Sequence, residues 1–174
     1  GGLVGFLRSL GFLNRTFDPT RVICVFDGQG SSMNRKNINP EYKAQRVNKR
    51  ISNWDMFDNK EDEFASMTMQ MHRLVEYLQC LPTTLISMDK VEADDIISFL
   101  AQGFGSKGHR VTIVSSDKDF LQVVDDNVEV YSPIKKKIYK KRDVAEELGM
   151  IPENYLIVKS LLGDNSDNLT GVKG

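Results

Sequence analysis

Val111-Thr112-Ile113-Val114-Ser115-Ser116-Asp117-Lys118-Asp119 is a short β-branched run that ends on two serines and then on two acids. Four to eight apolar residues of this composition predict a buried strand, and the acids then stand at its carboxyl end. The same order of residues occurs earlier in the chain. Val22-Ile23-Cys24-Val25-Phe26 leads into Asp27-Gly28, and Thr84-Leu85-Ile86-Ser87-Met88 leads into Glu92, Asp94 and Asp95. Val128 to Ser132 reads as a further strand, and Ile134 to Tyr139 as a hairpin arm. Between the strands lie helical patterns: Leu3, Val4, Phe6, Leu7 and Leu10; then Phe64, Met67, Met71, Leu74, Val75 and Leu78; then 93–104, 142–148, and 152–162 opening on Pro152. A short helix is expected from Asp119. The Met-containing stripe is read as core, because Met fills core gaps. Strands alternating with helices predict an α/β fold with a mainly parallel central sheet flanked by helices.

The chain has 174 residues, enough for one domain. Hydrophobic residues make up 40% and charged residues 27%, the balance of a folded soluble protein. No apolar run approaches the roughly 20 residues of a spanning helix, and Gly1 to Phe12 lacks the basic and small-residue features of a signal peptide. No membrane association and a cytoplasmic location are expected. Cys24 and Cys80 are too few for a disulfide framework or a zinc site, and Cys24 is read as a small buried hydrophobe. His72 and His109 are far apart, against histidine-based catalysis. A net charge of −1 requires that any surface for nucleic acid be locally basic. The absence of an initial Met, and an end on Gly174 in loop-like sequence, read as a fragment.

Asp27, Glu92, Asp94, Asp95, Asp117 and Asp119 follow strands, and Asp164 and Asp167 follow the apolar helix ending Ser160-Leu161-Leu162-Gly163. Ligand sites of open α/β sheets form beyond the carboxyl ends of strands, so acids distant in sequence are expected to converge. Converging carboxylates repel, and unpaired ones would be driven to protonate. Divalent cations relieve this, and hard oxygen donors suit Mg²⁺ or Mn²⁺. Two such ions about 4 Å apart can activate a water and stabilise the leaving oxygen of a phosphodiester. Asp117 and Asp119 would share a side in an extended segment, and one helical turn would bring Asp164 and Asp167 together. Against this stands helix capping, which any single Asp at a helix start could serve. Capping is not expected to account for three acids crowded within 92–95, nor for Asp117 and Asp119 flanking a strand end.

The segments Val25-Phe26-Asp27-Gly28, Val91-Glu92-Ala93-Asp94-Asp95, Ser115-Ser116-Asp117-Lys118-Asp119 and Leu161 to Asn168, in this order and spacing, closely resemble the 5′ nuclease family. That family includes flap endonucleases, bacteriophage 5′–3′ exonucleases and the 5′-nuclease domain of bacterial DNA polymerase I. The resemblance implies a PIN-like core over 1–162, with a helical arch at about 29–60 and the start of a helix-hairpin-helix at 163–174. It implies two divalent ions, one held by Asp27, Glu92, Asp94 and Asp95, the other by Asp117, Asp119, Asp164 and Asp167, with some sharing. A monovalent ion at the helix-hairpin-helix is part of the same pattern. So is a further Asp on a strand upstream of Gly1.

Arg35, Tyr42, Lys43 and Arg46 match the family's phosphate-binding and stacking positions, and Gly171 and Gly174 its duplex grip. Lys43 and Arg46 are expected to neutralise the scissile phosphate. The implied activity is metal-dependent hydrolysis of DNA at flaps or free 5′ ends, giving a 5′-phosphate and a 3′-hydroxyl, in primer or flap removal during replication and repair. RNA–DNA hybrids and replication proteins enter as further partners, and a monomer in a bacterial or phage-infected cell as the setting. Two rivals remain: a PIN-type RNase, and a non-catalytic DNA-binding relative. The Lys135–Lys137 and Lys140–Arg142 cluster fits a solvated hairpin and a duplex contact equally well.

Overall fold

The computed structural model describes residues 2–44, 55–164 and 167–172. Along the chain run α1 (Gly2–Phe17), β1 (Val22–Asp27), α2 (Met33–Ile38), α3 (Lys60–Gln79), β2 (Thr83–Met88), α4 (Ala93–Gly105), β3 (Val111–Val114), β4 (Val128–Ser132), β5 (Lys137–Tyr139), α5 (Lys141–Leu148), α6 (Tyr155–Leu162), β6 (Gly163–Asp164) and β7 (Leu169–Thr170). Two 3₁₀ turns, Lys118–Val123 and Pro152–Asn154, complete the set. The chain divides into two compact units, one of residues 1–26 and 46–87, the other of 27–45 and 88–174. No helix among the described residues is long and apolar enough to cross a membrane.

In the first unit α1 packs on α3, and β1 pairs with β2. α3 starts where its sequence dictates. Asn59 accepts a hydrogen bond from the Asp62 amide at 2.8 Å, and Glu61, Asp62 and Glu63 occupy the first turn, where carboxylates favour the positive end of the helix dipole. The Leu3 amide donates to Gln70 Oε1 at 3.3 Å, tying α1 to α3. The hydrophobic stripe of α3 is only partly core. Leu74 and Leu78 are buried, whereas Phe64 is 70% and Met67 60% exposed. Nothing among the described residues covers the early part of that stripe. Cys24 is half-buried rather than fully buried, and burial pushes its thiol above the usual range.

The second unit holds a core of Ala101, Ile113, Phe120, Leu121, Val123, Val124, Val128, Val130, Tyr139 and Val144. β3 and β4 are parallel, with Val111 opposite Val128 and Ile113 opposite Val130. β5 returns antiparallel to β4 with Val130 opposite Tyr139, so the expected hairpin forms, but its arm is Lys137–Tyr139 and Ile134 lies in the turn. The Asp125 carboxylate accepts from the amides of Asn127 (2.7 Å) and Val128 (2.8 Å), turning the chain into β4. Asn127 Nδ2 donates to the Gly105 carbonyl at 3.0 Å, tying this turn to the end of α4.

Residues 163–174 were expected to open a helix-hairpin-helix. No such helix is seen among the described residues there, where two short strands pair with Gly163 opposite Thr170 and Asp164 opposite Leu169. α6 stops because Gly163 takes a positive φ of 79°, and a Cβ there would stand 2.3 Å from the Gly171 nitrogen. Of the arch region, α2 and the turns on either side of 45–54 are described.

The basic cluster is ion-paired. Lys135 and Lys137 reach Glu147 at 2.7 and 3.2 Å, Lys141 reaches Glu153 at 2.7 Å, and Arg142 reaches Glu146 at 2.7 Å. This geometry favours the solvated-hairpin reading. The Lys135 hydrogen bond, against an opposing desolvation and with help from Lys137 and Tyr139, holds the Glu147 carboxyl at about 2. Its folded value lies below the ordinary 4.5, so its contribution is present above pH 4.5 and is lost as pH falls towards 2. Glu147→Gln should therefore flatten the stability–pH profile between these limits in urea unfolding series. An unchanged profile would remove Glu147 from the acid response.

Candidate metal centre

The first acidic group is built around the start of α4. Asp27 closes β1, and its Oδ1 accepts from the Ala93 amide at 2.9 Å, holding the carboxylate at the positive end of α4. Gly28 makes this possible. A Cβ at Gly28 would lie 1.8 Å from the Met88 carbonyl oxygen, so only glycine lets the two segments pass this closely. Lys90 then donates its amide to the Gln29 carbonyl at 2.9 Å. Glu92 precedes α4 and is 5% exposed, while Asp94 and Asp95 fill the first turn.

These acids are met by cations from the segment 35–43. Arg35 on α2 pairs with Glu92, with Asp95 at 2.7 Å and with Asp94 at 3.6 Å. Lys43 Nζ lies 2.8 Å from Glu92 Oε2. The Tyr42 hydroxyl donates to the same oxygen at 3.2 Å and accepts from Arg35 at 2.9 Å. Tyr42 is 4% exposed, and Arg35 and Lys43 stand 5.6 and 4.8 Å from its ring centre. Tyr42, expected to present a face to a base, is thus buried in this structure. Its hydroxyl is tied to Glu92, which turns the ring inward.

The second group contains Asp119, Asp164 and Asp167, whose nearest carboxylate oxygens lie within 4.8 Å of one another. The reason differs from the one expected. Asp164 and Asp167 meet across the β6–β7 turn, where the Asp167 amide donates to the Asp164 carbonyl at 3.3 Å, and not across a turn of helix. Asp117 is also not in an extended pair with Asp119. It caps the 3₁₀ turn Lys118–Val123, its Oδ1 accepting from the Asp119 amide at 2.9 Å. Capping thus accounts for Asp117, and no such bond accounts for Asp119.

Lys159, which the sequence reading did not single out, stands in this second group. Its Nζ lies 2.5 Å from Asp119 Oδ1 and 2.6 Å from Asp164 Oδ2. One signal was present in the sequence: a single cation inside the apolar helix Tyr155-Leu156-Ile157-Val158-Lys159-Ser160-Leu161-Leu162.

The two groups line one cleft of about 530 Å³, with Asp94 and Asp95 on its wall together with Asp119, Lys159, Asp164 and Asp167. Two bonds hold the cleft's rim together. The Lys43 amide donates to the Asp167 carbonyl at 3.2 Å, and Asn168 Nδ2 donates to the Glu41 carbonyl at 3.2 Å. Gly171 lies where a Cβ would stand 2.4 Å from the Leu161 carbonyl oxygen, so it serves close packing on the end of α6. Arg46 and Gly174 lie outside the described residues.

Charges in the cleft perturb one another. Burial, reinforced by Asp94 and Glu92, raises the Asp95 carboxyl even though Arg35 attracts its ionised form. For Lys43 and Lys159 burial disfavours the charged form, but hydrogen bonds to Glu92 and Tyr42 in one case, and to Asp119 and Asp164 in the other, leave both ammonium groups above their ordinary range. Burial raises the Tyr155 hydroxyl, with Asp119 adding to the effect.

Hard carboxylate oxygens gathered at strand ends, with no cysteine or histidine among the cleft-lining residues, define a site suited to divalent cations. The chain belongs to the 5′-3′ exonuclease family, whose N-terminal resolvase-like domain matches residues 1–149. It is 32% identical over 173 residues to a 5′-3′ exonuclease of Buchnera aphidicola, covering 99% of this chain and 55% of that protein. It is 34% identical over 174 residues to DNA polymerase I of Mycobacterium bovis, covering 98% of this chain and 18% of that one. The chain thus spans about half the length of its curated exonuclease relatives. A flap endonuclease of bacteriophage T5, solved in a pseudo-enzyme-product complex with DNA and metal ions, shares the fold with a TM-score of 0.77. That likeness covers 99% of this chain and 62% of the other at 23% identity. The fold is therefore the α/β, PIN-like fold of the 5′ nucleases.

Gly28→Ala should lower stability by at least about 1–3 kcal/mol, as overpacking against backbone does. Gly103, inside α4 with nothing within 4 Å of a new Cβ, is the control. Gly103→Ala should be neutral or stabilising by up to about 1 kcal/mol. Urea midpoints would show the difference, and equal midpoints would dismiss the close-approach argument.

Proposed function

We propose that this chain is the catalytic core of a metal-dependent, structure-specific 5′ nuclease acting on DNA. The observation that carries this reading is that two carboxylate groups from separate parts of the chain line one cleft, each with its own cation. Glu92, Asp94 and Asp95, with Asp27 behind them, would hold one divalent ion. Asp119, Asp164 and Asp167, with Asp117 supporting Asp119, would hold a second. All-oxygen donors fit Mg²⁺ or Mn²⁺ better than softer metals. Bound there, such ions supply activation of a water and charge stabilisation at the leaving oxygen of a phosphodiester.

The chain's own residues do the rest. Arg35 and Lys43, now on Glu92 and its neighbours, are placed to turn to a phosphate entering the cleft and to neutralise charge that develops on it. The left-handed backbone at Lys43, φ 54°, is a strained position of the kind functional sites retain. Hydrolysis leaves a 5′-phosphate and a 3′-hydroxyl. DNA with free 5′ ends or flaps is the proposed substrate, and removal of primers or flaps the proposed role. The relatives' names and the T5 complex with DNA and metal ions support this choice. With phosphate contacts doing the positioning, sequence preference should be weak.

Cleavage of a 5′-labelled flap DNA by the full chain should require Mg²⁺ or Mn²⁺ and disappear in Asp119→Asn and Asp164→Asn. Turnover surviving both substitutions would end the metal assignment. Lys43→Ala should slow cleavage by about 10²–10³-fold, the size of losing one transition-state donor, while DNA affinity changes by less than about threefold. Parallel losses in rate and affinity would make Lys43 a binding residue only.

A further inference from the structure

Lys159 occupies an unusual place for a cation on an apolar helix. Its ammonium bridges Asp119 Oδ1 and Asp164 Oδ2, and its side chain is 23% exposed. These two residues, with Asp167, are the ones whose oxygens come close enough together to bind one ion. An ammonium bridging Asp119 and Asp164 and a divalent ion coordinated by them would therefore compete for the same oxygens. At 3–4 Å separation two cations repel strongly in a partly dry cleft, so both cannot be accommodated on those atoms.

We infer that Lys159 is the built-in counter-ion of the Asp119–Asp164–Asp167 group, and that a divalent ion enters this group by displacing its ammonium. The inference rests on the metal reading above. It explains how the Asp119 and Asp164 carboxylates can approach one another in the protein alone, where their repulsion would otherwise oppose the contact. It also has room to operate. Lys159 carries a flexible four-carbon stem and lines both the cleft and a neighbouring hollow of about 490 Å³ beside Tyr155 and Leu162. The ammonium can leave the carboxylates by side-chain rotation without unfolding α6. Lys159 is thus a positioning residue: it sets the metal affinity of the group without itself being a ligand.

The test is Mn²⁺ binding by the full chain, measured calorimetrically without DNA, for the natural sequence, Lys159→Gln and Lys159→Arg. Removing the competing charge in Lys159→Gln should tighten Mn²⁺ binding at the tighter-responding site by about tenfold or more, while Lys159→Arg should stay within about threefold of the natural chain. In melts without metal and at low salt, Lys159→Gln should be less stable than the natural chain, and should gain more from saturating Mn²⁺. If Lys159→Gln folds only with Mn²⁺, recovery of the folded signal along a Mn²⁺ titration supports the inference, and failure to recover overturns it. Equal or weaker Mn²⁺ binding in Lys159→Gln, with binding by the natural chain intact, overturns this inference alone and leaves Lys159 as a structural ion pair. No Mn²⁺ binding by any of the three proteins overturns the metal reading with it.

Discussion

Repulsion among carboxylates that share one cleft is the constraint around which the second unit is organised. Asp94, Asp95, Asp119, Asp164 and Asp167 all line that cleft, and Glu92 beside them is 5% exposed. Carboxylates removed from water disfavour their charged form unless they are paired or hydrogen-bonded. Each group here has its own compensation. Arg35, Tyr42 and Lys43 converge on Glu92, and Arg35 extends to Asp94 and Asp95. Lys159 bridges Asp119 and Asp164. Asp27 and Asp117 are held by backbone amides at the starts of α4 and of the 3₁₀ turn. Breaking one such partly buried pair costs more than breaking an exposed one, because a charge is left uncompensated. α2, the 39–44 turns, α4 and α6 are therefore fastened to the site by charge as much as by apolar contact.

The backbone accommodates this at specific places. Gly28 permits the passage of the Asp27 segment against Met88, and Gly163 ends α6 so that the β6–β7 turn can present Asp164 and Asp167. Lys43, Lys90 and Asn168 adopt φ values of 54°, 63° and 59°, a region that costs non-glycine residues on the order of 1–3 kcal/mol. All three lie beside the acids or in the turns that position them. The core beside these turns, with Val128, Val130 and Val144 fully buried, holds them in place.

Much of the frame was legible in the chain. Runs such as Val111 to Val114 and Val128 to Ser132 combine β-branched residues with turn residues at their ends, and both are strands. The acids that follow apolar strands were legible as candidates for convergence, because a parallel β–α arrangement brings strand ends to one edge. What the pattern misjudged has local physical causes. Asp164 and Asp167 were expected one helical turn apart, but Gly163 breaks the helix just before them. Asp117 looked like a partner of Asp119, and its carboxylate is taken by the amide of that residue. The burial of Tyr42, whose hydroxyl is drawn to Glu92, has no signal in its basic, polar stretch. The α3 stripe has the periodicity of a core helix, yet Phe64 and Met67 are uncovered among the described residues.

The sequence by itself determined the strand and helix segments, the identity of the carboxylates and their hard-oxygen character, because periodicity and side-chain chemistry are local properties. Only the tertiary structure decided which carboxylates face one another and which cation answers each group. Lys159 shows why. Forty residues of chain separate it from Asp119, so no spacing rule links them, and their contact exists only because α6 packs beside the 3₁₀ turn that carries Asp119.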